Sequence, residues 1–155
     1  MATQTVREGV QAYGLQPGEG QLIENLRLRI VATGALTGGT LLAAECTNPG
    51  PGGPPLHSHH AHDELYVVLQ GRYRFKIGKD EHEGGPGTFA YVPRGVTHTF
   101  ASVGPAEGRI FTVSLPGLEH FLERMSDLQA RGAAHEEFVA LFHDFQSEID
   151  GPSLV

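Results

Sequence analysis

The chain has one cysteine, Cys46, so no intramolecular disulfide framework is available to it. Positive charge is also scarce. Eleven Lys and Arg stand against 18 Asp and Glu, a net charge of −7. That balance argues against a nucleic-acid backbone or an anionic membrane as the main partner. No apolar run approaches the length of a membrane span. Met1-Ala-Thr-Gln-Thr has neither a basic n-region nor an apolar h-region, so no secretion signal is read there, and the cytoplasm is the expected location. A G-x-S-x-G elbow, a P-loop and a G-x-G-x-x-G turn after a strand are all missing, which removes the commonest serine-hydrolase and nucleotide-binding chemistries.

Glycine and proline are plentiful, at 21 and 10 of 155 residues. They punctuate rather than cluster, at Pro17-Gly18, Gly38-Gly39, Pro49 to Pro55, Gly71, Gly84 to Gly87, Pro93 to Gly95 and Pro116-Gly117. Short apolar runs lie between these marks, the pattern of an all-β sandwich or barrel. Strands are predicted over Leu22–Thr33, Thr40–Thr47, Leu65–Leu69, Arg72–Ile77, Thr88–Val92, Thr97–Ser102 and Arg109–Leu115. Cys46 is expected as a small core residue of the second run. In Arg72–Ile77, Tyr73, Phe75 and Ile77 alternate with Arg72, Arg74 and Lys76, so that strand should be wet on one face. After Pro116 the period changes. Leu118, Phe121, Leu122 and Met125, then Phe138, Leu141, Phe142 and Phe145, predict amphipathic helices over about 118–130 and 134–146. The expected organisation is one domain over 1–155, with a barrel core at about 22–115 and a helical segment at about 117–147.

Residues 57–64 read H-S-H-H-A-H-D-E. In a strand, residues i and i+2 share a face, about 7 Å apart. His57 and His59 meet that condition, and so do His60 and His62. Glu64 opens the next apolar run, and His98 follows the turn Pro93-Arg94-Gly95. Imidazoles and a carboxylate converging from adjacent strands are a metal-binding set.

Two longer patterns carry a resemblance. His57-x-His59-x4-Glu64-x6-Gly71 resembles the first motif of the cupin superfamily. Gly87-x5-Pro93-x-Gly95-x2-His98 resembles the second, with Ser102 where the family has asparagine. Pro51 stands where the first motif opens with glycine. Fifteen residues separate Gly71 from Gly87, the short spacer of small single-domain cupins. The flanking stretches Gly18-Glu19-Gly20, Gly53-Pro54-Pro55 and Gly151-Pro152 are similar to quercetin dioxygenase-like monocupins. The resemblance implies a jelly-roll β-barrel of six to eight strands, with the two C-terminal helices packed on it. It also implies a homodimer and one divalent metal held by His57, His59, Glu64 and His98.

His60, His62 and Asp63 are then surroundings: His60 has the wrong strand parity, His62 and Asp63 are expected in the solvated turn leading to Glu64, and Arg94, after Pro93, is expected as a solvated residue of its own turn. Tyr66, Phe75, Tyr91 and Phe100 are expected to line the substrate pocket. Tyr66 shares the parity of Glu64, and Phe100 that of His98. Three imidazoles and one carboxylate suit Fe, Mn, Ni, Co, Cu or Zn and leave coordination positions open. By resemblance the activity is that of a dioxygenase. It would act on an aromatic or enolic small molecule with O2, Glu64 taking the substrate's proton. The same ligands also serve metal-dependent isomerisation, cyclisation or decarboxylation, or small-molecule binding without turnover.

Overall fold

The computed structural model describes residues 9–154. Among these residues, eleven strands form two antiparallel sheets. The six-stranded sheet runs β1 (Gln21–Ile23), β2 (Leu28–Ala32), β3 (Leu42–Asn48), β10 (Gly108–Leu115), β5 (Asp63–Gln70), β8 (Phe89–Val92). The five-stranded sheet runs β11 (Ser147–Ser153), β4 (Pro55–His59), β9 (His98–Ser102), β6 (Tyr73–Ile77), β7 (Asp80–Gly84). The two sheets face one another as a jelly roll, and hydrogen bonding does not close them into a continuous barrel.

Alternation decides which side chains enter. On β5, Glu64, Tyr66 and Val68 are buried, while the residues between them are partly or fully exposed. On β6, Tyr73 and Phe75 are buried. These residues meet Ala90, Val92 and Ile110 in the core between the sheets. A second cluster, Ile23, Leu28, Ile30, Leu42 and Ala44, fills one end. Gly71 makes the tight connection from β5 to β6 at φ +79°, where a Cβ would also press on Gly108 Cα at 3.0 Å.

Three departures from the sequence-based expectation matter. The run Leu22–Thr33 is not one strand. Arg27 takes a left-handed conformation (φ 51°) and splits it into β1, a 3-10 turn and β2. Asp80–Gly84 is a strand despite its exposed polar residues, because its backbone pairs with β6. Ser147–Ser153 returns after the helices to pair with β4, with Ser147 opposite His59 and Ile149 opposite His57.

The helices lie where the period placed them. Besides a single short turn, α1 (Gly34–Thr37), they are α2 (Glu119–Ala130) and α3 (His135–Asp144). Gly132 at φ +63° ends α2, and the Glu137 carboxylate accepts from the Ala134 N–H at the start of α3. Their apolar faces bury Leu118, Phe121, Leu141 and Phe142 together, at about 1.5–3 kcal/mol for each side chain. Two clasps tie α2 to the sheets. Asn25 and Ser126 exchange hydrogen bonds, and Glu119 accepts from the Gly34 N–H. The hairpin therefore caps one mouth of the sandwich. Among the described residues no helix is long and apolar enough to cross a membrane.

Candidate metal centre

β4 presents His57 and His59 on one face, and the β4–β9 pairing sets His98 directly beside His57. Glu64 reaches the same point from β5, so the six-stranded sheet supplies the carboxylate and the five-stranded sheet the imidazoles. All four side chains are buried, and one ligand atom from each lies within 4.8 Å of the others.

The Nδ1 atoms settle which nitrogens point inward. His57 Nδ1 is 2.7 Å from the Pro55 carbonyl, and His98 Nδ1 is 2.9 Å from the Val96 carbonyl. A carbonyl only accepts, so both Nδ1 atoms carry the hydrogen. His59 Nδ1 is 2.7 Å from Ser147 Oγ, which itself donates to the Phe145 carbonyl and so accepts from His59. Every Nε2 is thereby left with its lone pair aimed at the centre, the orientation that metal-bound histidines require.

His98 Nε2 lies 2.8 Å from Glu64 Oε2, and His59 Nε2 lies 3.8 Å from the same oxygen. A ring nitrogen bearing a lone pair and a carboxylate oxygen repel at such distances unless a proton or a cation sits between them. The donor set therefore fits a divalent transition ion.

Burial is the first cause of the low pKa of His57 and His59, and repulsion among the histidines adds to it. Both stand at about 4, so both rings are neutral at physiological pH. Burial alone would raise the Glu64 carboxyl. The close approach of His98 Nε2, and the pull of any proton or cation held among the three histidines, outweigh that and hold it well below the usual carboxylate range.

The cluster opens into a cavity of about 1110 Å³. Its walls include Leu42, Phe100 and Ile110 from the sheets and Leu118, Met125 and Phe138 from the helical hairpin. Phe121 and Phe142 pack directly on the ligand rings: Phe142 lies 6.0 Å from His57, and Phe121 lies 5.9 Å from His59, both edge-on. Among the described residues, no Lys or Arg lines this space. Cys46 does line it, and burial pushes its thiol up to about 11, which keeps it protonated.

The other expected site residues divide. Tyr66 and Phe100 line the cavity, their rings 5.2 Å apart. Phe75 does not reach it. It is buried behind them, 6.1 Å from Tyr66 and 6.4 Å from Phe100. Tyr91 is on the outer face and 49% exposed, because Ala90 and Val92 take the inward positions of β8. His60 is outside, near Glu148. His62 is not solvated: it is buried, with Nδ1 2.9 Å from the Pro116 carbonyl and its ring 6.2 Å from His59. Asp63 and Arg94 are a fixed pair, since Asp63 accepts from both the Arg94 backbone N–H and its guanidinium. The sequence reading missed Ser147. Its only signal, a small polar residue in a weakly patterned stretch, was too slight to find it.

A jelly roll that brings three histidines and one glutamate together at this junction makes a candidate metal site. A family model described as Cupin domain matches residues 45–114, which include all four clustered residues. An uncharacterised protein of Methanocaldococcus jannaschii is 28% identical over 65 residues, 42% of this chain and 52% of that one. The chain thus spans about half the length of that curated relative. Among solved structures it is similar to a protein described as a predicted oxalate decarboxylase from Thermotoga maritima. The TM-score is 0.54 at 19% identity, over 57% of this chain and 78% of that one. It is also similar to the polyketide cyclase RemF from Streptomyces resistomycificus. There the TM-score is 0.50 at 22% identity, over 57% and 63% of the two chains. These matches support the cupin superfamily, and the structural ones speak for the fold alone.

Proposed function

We propose that this protein is a metal-dependent cupin enzyme, a dioxygenase acting on an aromatic or enolic small molecule. One observation carries the reading. A buried cluster of His57, His59, Glu64 and His98 sits at the wall of a large, mainly apolar cavity with aromatic sides. Bound there, a divalent transition ion would acidify a coordinated hydroxyl and, if redox-active, open oxygen chemistry to the resulting anion. The chain's own residues do the rest. The three Nε2 lone pairs and Glu64 hold the ion, and four protein ligands leave room for a substrate. Phe100, Phe121 and Phe142 present apolar faces and edges to a flat ring. Leu42 and Ile110 help keep water from the reacting anion. Glu64 is the buried carboxylate of the cavity and accepts the substrate's proton. With no Lys or Arg among the described residues of the lining, a neutral substrate that loses one proton suits the cavity better than a phosphorylated one.

The test loads the purified protein separately with Fe(II), Mn(II), Ni(II), Co(II), Cu(II) and Zn(II). Flavonols and other enolic aromatics are supplied while dissolved oxygen is followed. Oxygen consumption matched to substrate loss is expected with at least one redox-active ion. No uptake with any of them overturns the dioxygenase reading. Turnover that persists without oxygen, Zn(II) included, reassigns the cavity to isomerisation, cyclisation or decarboxylation.

A further inference from the structure

The two oxygens of Glu64 have unequal surroundings. Oε2 faces the histidines, 2.8 Å from His98 Nε2 and 3.8 Å from His59 Nε2. The same oxygen accepts a hydrogen bond of 2.6 Å from the Tyr66 hydroxyl. Among the described residues, Oε1 has only a long contact of 3.4 Å from the Ser114 hydroxyl. Tyr66 is itself immobilised. It is 4% exposed on β5, and its ring packs against Phe75 and Phe100. Its hydroxyl lies 3.4 Å from His98 Nε2, at the edge of the ligand cluster.

We propose that Tyr66 is a positioning residue that fixes how Glu64 binds the metal. A carboxylate oxygen has two lone pairs, and the phenol takes one of those on Oε2. The other points among the three Nε2 atoms, so Oε2 ligates. The 2.6 Å bond holds the carboxylate with Oε2 toward the histidines and Oε1 toward Ser114, and chelation through both oxygens would require Oε1 to turn away from Ser114. Tyr66 therefore enforces binding through one oxygen and preserves a coordination position for substrate. It also leaves Oε1, beside Ser114 in the cavity wall, outside the metal's coordination sphere. Strand parity makes the arrangement possible: residues i and i+2 of β5 share a face, so the ligand and the group that orients it come from one strand.

The inference rests on the metal-site reading above, and its test separates the two. Cobalt(II) is titrated into wild type, Tyr66→Phe and His57→Ala, with affinity read by competition against a chromophoric chelator and coordination read from the visible Co(II) bands. Wild type should bind one ion and His57→Ala none. Tyr66→Phe should bind 10–100-fold more weakly, with altered band positions and intensities. Identical affinity and bands in Tyr66→Phe and wild type would overturn the role of Tyr66 while leaving the site intact. No binding by wild type would overturn both readings. A second measurement needs no variant. In difference infrared spectra of Zn(II)-loaded wild type, one-oxygen binding should give widely split carboxylate stretches, and the narrow splitting of a chelating carboxylate would overturn the proposal.

Discussion

Acidifying the metal-free protein should weaken the fold through His57 and His59. Both rings are buried and neutral, at about 4 against an ordinary 6.5. Above pH 6.5 each is neutral folded or unfolded, and nothing is lost. Below it the unfolded chain takes up protons that the fold refuses until about pH 4, so stability falls as pH falls. Each histidine is worth about 3 kcal/mol at the limit, taking about 1.4 kcal/mol per tenfold change in proton affinity. By pH 5 about 2 kcal/mol of that is already gone. The two effects share a cause, since each ring is repelled by its charged neighbours, so the pair together should cost about 3–4 kcal/mol at pH 5 rather than a simple sum. Glu64 stays ionised across this window and does not offset the loss. For a chain of this size the melting temperature should drop by roughly 10 °C between pH 7.5 and 5. Chelator-treated wild type and the double variant His57→Gln/His59→Gln can be melted at both pH values by circular dichroism. The variant, with no imidazole at either position, should lose much less. Parallel losses in the two proteins would refute the reasoning.

Other expectations follow from single contacts. Ser147→Ala removes the acceptor that orients the His59 ring, and should weaken metal binding 10–100-fold in a chelator competition without unfolding the chain. His98→Ala should abolish stoichiometric metal, read by elemental analysis after dialysis. Retention at the wild-type level would remove His98 from the ligand set. Phe142→Ala should cost about 3–5 kcal/mol in urea unfolding, because the ring is 4% exposed and packs on Phe121, His57 and His59.

Where period and spacing carry the information, the sequence was legible. The positions of His57, His59, Glu64 and His98 follow from strand alternation and two motifs, and the helices from their 3.6-residue stripe. What escaped it depends on neighbours distant in the chain. The stretch S-E-I-D-G-P-S has no alternating apolar face and contains a Gly-Pro pair. It becomes β11 only because β4 offers a free edge. Ser147 therefore could not be connected to His59 beforehand, 88 residues away. Tyr91 is expected at the pocket wall, yet the parity of Ala90 and Val92 turns it outward. His62 was read as a turn residue, but the Pro116 carbonyl and the adjacent histidine enclose it.

The division of the ligands between the sheets has a mechanical consequence. Three come from one sheet and the fourth from the other, so an ion bound there would be a rivet through the sandwich. Any breathing that parts β5 from β4 and β9 stretches the link between Glu64 and the histidines. Ion release and sheet separation then become a single event. Metal exchange should be slow where the sandwich is stiff and quicken with whatever loosens it, even at residues that never touch the ion.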